Sequence, residues 1–233
     1  MDYELQNYSG ANNPVTYELW NECADPDYKV ESLMWGMAPI DGKLLLDVGA
    51  GSGFQAVRYA EKAFRVFALE PDPKMLRQIY LRLGKHDVSN VSVLTASVEE
   101  ITLPRQSIDV AYARFAYFDG TENCLPGLRE IQRLLKPEGH LFVIAADPDK
   151  SAYGEMARTT YPNVFHKDHT KEHTAFYSKH GFQRHSVDTV IRAPDIQTLK
   201  EMLAMDFPDG LNKVKDKEIT YSLSVYHYQS EPA

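Results

Sequence analysis

The chain has 233 residues, of which 43% are hydrophobic and 25% charged, enough for one large domain with a sizeable core. Its formal net charge of −8 disfavours a non-specific grip on a polyanion such as a nucleic acid. Two distant cysteines, Cys23 and Cys124, argue against a disulfide framework and are expected as reduced, partly buried thiols.

The first residues, MDYELQNYSGANNPV, are acidic and polar, without the basic and apolar regions of a secretory leader. No segment approaches the roughly 18 uninterrupted apolar residues that span a bilayer. The expectation is a cytoplasmic protein with no membrane partner.

From residue 43 short apolar runs alternate with stretches of helical spacing. Leu44 to Val48 reads as a fully buried strand, and QAVRYAEKA as a helix with Ala56, Val57 and Ala60 inward. RVFALE (65–70) is the next strand. DPKMLRQIYLRLG then reads as a helix with Asp72 as N-cap, Pro73 at the first position and Gly84 as its stop. Met75, Leu76, Ile79, Tyr80 and Leu83 would form its apolar stripe. VSVLTAS (91–97) and IDVAYAR (108–114) are two more strands, followed by a helix from about Leu125 to Leu135, closed by KPEGH, and a strand over 140–146.

Beyond 147 the rhythm changes to a short helix and loop (147–169), a helix from about Thr170 to Lys179 and a strand over 182–192. An amphipathic helix with Asp195 as N-cap and a last alternating strand over 218–228 complete the chain. Without a crossover between them, the last two strands are expected to be antiparallel neighbours. The fold class expected is α/β: a doubly wound, mostly parallel seven-stranded sheet with an antiparallel last strand and helices on both faces. One domain is expected over 1–233. It would hold an N-terminal helical extension or lid (1–40), a cofactor-binding core (41–146) and an acceptor-side half (147–233) with an insertion at 193–215.

The stretch LLLDVGAGSGFQ (44–55) sets three glycines at every second position directly after a buried strand. In a doubly wound sheet the ligand sits beyond the carboxyl ends of the strands, and glycine there opens backbone conformations and lets a ligand approach. The dinucleotide fingerprint is G-x-G-x-x-G; here the spacing is G-x-G-x-G, with Asp47 two residues ahead. An acid at that point suits a ligand carrying a cation better than a pyrophosphate. Glu70, ending the second strand, can accept hydrogen bonds from both hydroxyls of a ribose. Ribose without phosphate, together with a positive end, describes S-adenosylmethionine.

Four stretches occur in order: LLDVGAGSGFQ, VFALEPDPKML, ASVEEITLPRQSIDVAYARF and GLREIQRLLKPEGHLFV, with SKHGF as a weaker fifth. Together they resemble the successive motifs of class I S-adenosylmethionine-dependent methyltransferases, nearest the small-molecule branch that includes ubiquinone and menaquinone biosynthesis enzymes. The resemblance implies that Asp47, Gly49, Ala50, Gly51 and Gly53 pack around the methionine part of the cofactor. Glu70 would hold the ribose, with Pro71 and Met75 beside ribose or adenine, although Met75 also fits the helix core. The family's acid after the third strand is replaced by Ser97, with Val98 supplying the backbone contact; Glu99 would substitute only by pointing inward. Arg114 and Phe115 fall at the cofactor's methionine end. Tyr8 is a candidate for cofactor contact and Tyr117 for the acceptor.

The segment HKDHTKEH, with His166, His169 and His173, reads as a solvated helix start rather than a metal site, and His140 as structural. Leu199, Met202, Leu203, Met205 and Phe207 of the insertion read either as an apolar cover over the acceptor pocket or as half of a homodimer contact. The expected activity is transfer of a methyl group from S-adenosylmethionine to an O, N or C nucleophile of a small molecule. Where the acceptor needs a base, His166 and Tyr117 are the candidate catalytic residues. The alternatives are a non-catalytic S-adenosylmethionine sensor, a protein or peptide methyltransferase and a nicotinamide-dependent dehydrogenase. Asp47 and the glycine spacing weigh against the last. A nucleic-acid acceptor is disfavoured too, because Asn/Asp-Pro-Pro-Tyr is missing after the fourth strand, where the chain reads ARFAYF.

Overall fold

The computed structural model describes residues 12–208 and 211–233. In chain order the elements are α1 (Pro14–Cys23), α2 (Lys29–Met37), β1 (Leu44–Val48), α3 (Phe54–Ala60), β2 (Arg65–Leu69), α4 (Pro73–His86), β3 (Val91–Leu94) and β4 (Ile108–Arg114). They continue as α5 (Leu125–Leu134), β5 (Leu135–Ala146), α6 (Ser151–Thr160), α7 (His169–Lys179), β6 (Gln183–Arg192), α8 (Ile196–Leu203) and β7 (Glu218–Gln229). The sheet has seven strands in the order β3-β2-β1-β4-β5-β7-β6. β1 to β5 pair in parallel, with Asp47 opposite Ala68 on β2 and opposite Tyr112 on β4.

The last strands run antiparallel. Ser230 N–H donates to Gly139 O, whereas Asp147 N–H donates to Ser222 O, so numbers rise on one strand as they fall on the other. The same reversal relates β7 to β6, where Ser222 Oγ donates to Asp188 and Arg192 reaches Glu218.

Contacts divide the chain into two compact units. The larger comprises Glu31–Ala145, His173–His185 and Val225–Ala233. On one face of its sheet Leu46, Val48, Ala111, Ala113, Leu141 and Val143 pack with Leu128, Ile131 and Leu134 of α5 and Tyr177 of α7 in one apolar cluster. On the other face Tyr112 and Phe142 meet Trp35 of α2 edge-on, at 6.2 and 6.3 Å between ring centres. The strands' alternation thus puts apolar side chains under helices on both sides.

The smaller unit comprises residues up to 30, 146–172 and 186–224. Trp20, Tyr153, Tyr221 and Phe207 form its aromatic centre. Leu199, Met202, Leu203 and Phe207 are buried there, so they offer no apolar face to a second copy. Asp25, 2% exposed, ties this unit together: its carboxylate accepts from the backbone N–H groups of Lys29 and Val30 and from the Thr189 hydroxyl.

Several local expectations change. α4 runs through Gly84 to His86 and is closed by Asp87 in the left-handed conformation. A glycine inside a helix weakens it without blocking it, and aspartate tolerates that closing geometry. Tyr80 is 57% exposed, because it lies about 140° round the helix from Met75. Val57 is only half-buried, while Tyr59 and Gln55 of α3 point inward. β5 begins at Leu135 rather than 140: Leu135 pairs with Ile108 and His140 with Val110, so the KPEG stretch is an irregularity within the strand. The N-caps at Asp72 and Asp195 are as read, accepting from Lys74 N–H and Thr198 N–H. Cys23 and Cys124 are buried free thiols. Among the described residues, no helix is long and apolar enough to cross a membrane.

Candidate functional site

The residues after β1 to β4 gather within the larger unit. Gly49, Gly51 and Gly53 all take left-handed backbone conformations, at φ +71°, +56° and +75°. A β-carbon on Gly49 would collide with Cβ of Ala116, and one on Gly53 would come within 3.3 Å of Ile79. The first glycine therefore admits the loop after β4, and the third admits α4. The turn is tied to the end of β2: Gly49 and Ala50 both donate to Leu69 O at 2.9 Å, and Gly51 N–H donates to Glu70 Oε2 at 2.8 Å.

Asp47 is 3% exposed, and its Oδ2 has no hydrogen-bond partner. Burial pushes its pKa up to about 7; the neighbouring Tyr112 hydroxyl draws it down and the Glu70 charge raises it further. That hydroxyl approaches without completing a hydrogen bond. Tyr112 packs edge-on against Tyr59, which in turn meets Trp35. Among the described residues the acid therefore sits in an aromatic enclosure with no cation in hydrogen-bond contact, and a donor or cation arriving from outside would satisfy it.

Glu70 is 7% exposed. Burial raises its pKa, opposed by the N–H groups of Asp72 and Gly51, which donate to Oε1 and Oε2. Each oxygen accepts one of these bonds and keeps acceptor capacity for another donor. Pro71 is exposed; Met75 is 2% exposed and belongs to the inner face of α4 with Ile79. Ser97 Oγ donates to Glu100, and Val98 opens a short 3-10 turn through Glu100 with its side chain buried.

After β4 the Arg114 guanidinium lies 5.6 Å from the Phe115 ring, and Phe115 is 41% exposed. Phe115 and Tyr117 both have left-handed backbones, at φ +54° and +55°. For bulky side chains this is a strained geometry, of the kind that concentrates at functional sites. The Tyr117 hydroxyl donates to Glu99 at 2.6 Å and accepts from Gly127 N–H at 3.1 Å. Burial and Glu99 raise its pKa, so it keeps its proton. The expectation that it accepts a proton thus meets a phenol engaged on both sides, whose visible work is holding the start of α5 against the 98–100 turn.

His166 lies in the smaller unit, exposed, with Nε2 3.4 Å from Glu172. α7 begins at His169, one residue before the expected Thr170, and includes His173; His169 is buried rather than part of a solvated start. His169 Nδ1 bonds Val164 O, and the His173 ring packs against Gly120. Tyr8 lies outside the described residues. Tyr112 and Ala116 were missed: both come into view only through strand register and loop packing.

A solved S-adenosylmethionine-dependent methyltransferase from Aquifex aeolicus shares the fold, with a TM-score of 0.59 at 18% identity over 91% of this chain and 97% of that one. The family model described as a methyltransferase domain matches residues 46–143. Over residues 46–143 the chain therefore carries a methyltransferase domain. That matched segment contains the glycine turn, Asp47, Glu70 and the loops after β3 and β4. A curated relative, tRNA U34 carboxymethyltransferase from Saccharophagus degradans, is 28% identical over 121 residues, covering 50% of this chain and 36% of its own. The cypemycin N-terminal methyltransferase of a Streptomyces species is 27% identical over 150 residues, covering 63% of this chain and 60% of its own. The chain thus spans less than two thirds of the length of these relatives.

Proposed function

We propose that this protein transfers a methyl group from S-adenosylmethionine to an O, N or C nucleophile of a small-molecule acceptor. The observation that carries the reading is the Asp47 carboxylate, buried with one oxygen unpartnered beside three left-handed glycines. In this reading Asp47 and the turn Gly49, Ala50, Gly51 and Gly53 hold the methionine end, which brings the missing cation. Glu70 takes the ribose hydroxyls on its spare acceptor positions, with Pro71 and Met75 alongside. Ser97 and Val98 border the adenine, and Arg114, Phe115 and Tyr8 the remaining cofactor surface.

When bound, S-adenosylmethionine supplies an electrophilic methyl group on a sulfonium. The chain's own contribution is alignment and exclusion of water. For a phenol, carboxylate or thiol acceptor that is enough; for an alcohol or amine, His166 is the proposed proton acceptor. The net charge of −8 and the ARFAYF sequence after β4 support a small acceptor over a nucleic acid.

The test is calorimetric titration of the cofactor into wild type, Glu70→Ala and Gly51→Val, followed by incubation with methyl-labelled cofactor and a cell extract. Binding lost in both variants and label in the small-molecule fraction are expected. Tight binding retained by both variants would overturn the cofactor assignment. Label in RNA or protein would move the acceptor class, and binding with no transfer to any fraction would point to a sensor.

A further inference from the structure

The Asp47 enclosure lies wholly within the larger unit, and it holds a second unsatisfied group. Tyr112 is 1% exposed, and its hydroxyl, like Asp47 Oδ2, is shut away from solvent without a hydrogen-bond partner. Asp47 and Tyr112 are register partners on the parallel strands β1 and β4, so their side chains stand on the same face of the sheet. The hydroxyl is near enough to draw the pKa of the acid down. Two buried polar atoms left unpaired beside each other are costly, and each is what the other lacks: a carboxylate only accepts, and a phenol has one proton to give.

The other polar groups around the acid are already engaged. Glu70, at the end of β2, is held by the N–H groups of Gly51 and Asp72. Tyr59 of α3 faces Glu31 of α2, whose carboxylate pairs with Arg58 at 3.0 Å. The Arg114 guanidinium, which also acts on Tyr59, lies against the Phe115 ring. Burial, and then the Asp47 charge, push the Tyr112 pKa well above the usual phenol range, so this hydroxyl keeps its proton. That proton is the donor left for Asp47 among the described residues.

We propose that Tyr112 is a positioning residue for the cofactor: once Asp47 ionises, the Tyr112 hydroxyl donates to Oδ2 and fixes the carboxylate with Oδ1 turned to the incoming ammonium. This rests on the methyltransferase reading above, in which the methionine part of S-adenosylmethionine brings that ammonium. A hydrogen bond to an ionised oxygen is shorter and stronger than one to a neutral carboxyl. Tyr112 therefore favours the charged form of the acid, which is the form a cation needs.

Aspartate labelled with ¹³C at the side-chain carboxyl lets Asp47 be titrated by NMR in the free protein, with Asp47→Asn assigning its signal. Wild type, Tyr112→Phe and Tyr59→Phe are compared, with circular dichroism to verify folding, and S-adenosylmethionine is titrated calorimetrically into each at pH 6, 7 and 8. The wild-type midpoint should stand at about 7. Tyr112→Phe should raise it by about one pH unit, the worth of a charge-assisted hydrogen bond, whereas Tyr59→Phe, which removes a phenol from the same enclosure, should leave it in place. The ionised fraction, and cofactor affinity with it, then falls about tenfold at pH 6 but only about twofold at pH 8. A loss of packing alone would weaken binding equally at every pH. In wild type, with no substitution at all, the Tyr112 hydroxyl proton should move downfield across the same midpoint. An unmoved midpoint in Tyr112→Phe, an equal rise in Tyr59→Phe, a binding deficit independent of pH, or a hydroxyl proton indifferent to Asp47 would overturn the inference. Cofactor bound by wild type with no dependence on Tyr112 sinks this role and leaves the methyltransferase reading standing. A midpoint that follows Tyr112 in a protein that binds no cofactor sinks that reading, and the positioning role with it.

Discussion

Asp47→Asn replaces the buried carboxyl with a group of the same shape that cannot ionise. In the free protein the Asp47 pKa stands at about 7 against an ordinary 3.8. An acid raised in the folded state holds its proton there while the unfolded chain has lost it. The contribution of Asp47 to stability therefore falls as pH climbs through the window from about 4 to 7 and stays lost above it. About three pKa units correspond to a ceiling of about 4 kcal/mol. Wild type without ligand should melt at a lower temperature at pH 8 than at pH 5, and Asp47→Asn should show a smaller fall. A cationic ligand that needs the ionised carboxylate has the opposite dependence. The ionised fraction rises from about one tenth to about nine tenths between pH 6 and 8, so cofactor affinity should rise about tenfold. Calorimetry at pH 6, 7 and 8, in two buffers of different ionisation enthalpy, reads both the slope and the proton released on binding. Asp47→Asn should bind more weakly, with a flat profile and no proton release from this group. A flat wild-type profile, or an unchanged slope in the variant, would refute the assignment of Asp47 as the cation's partner.

Tyr117→Phe removes the acceptor for Gly127 N–H and the donor to Glu99. Denaturant melts should show a loss of about 1 kcal/mol, and an unchanged midpoint would mean those bonds contribute nothing net. Gly49→Ala drives a methyl group into Ala116 at a left-handed position. A loss of about 1–3 kcal/mol together with weakened cofactor binding is expected, and wild-type affinity in the variant would contradict the close fit of the two loops. Asp25→Ala strands two backbone N–H groups and the Thr189 hydroxyl, with an expected loss of about 2–4 kcal/mol in the same melts. His166→Ala should lower the turnover number and leave cofactor affinity unchanged; an unchanged turnover number would remove this residue as the base.

What could be read in advance was the chemistry carried by neighbours in the chain. The caps at Asp72 and Asp195 are local, since each carboxylate meets an N–H two or three residues on. The glycine turn is local too, because one strand end and one helix start define it. Gly84 misled for the same reason: a glycine marks where a helix can stop, while the next compatible cap, Asp87, decides where it does. Asp47 was legible as an acid but its enclosure was not, since Tyr112 faces it only through the β1–β4 register and Tyr59 through the packing of α3. Tyr117 was read as an acceptor contact or base because nothing in ARFAYF reveals a bond to Glu99, eighteen residues earlier.

The same division separates the two halves of the chemistry. The methyltransferase match runs over residues 46–143 and ends before His166. The relatives that match part of this chain carry names as different as tRNA U34 carboxymethyltransferase and cypemycin N-terminal methyltransferase. His166, the proposed proton acceptor, lies outside that segment, and its replacement should lower the turnover number while leaving cofactor binding intact.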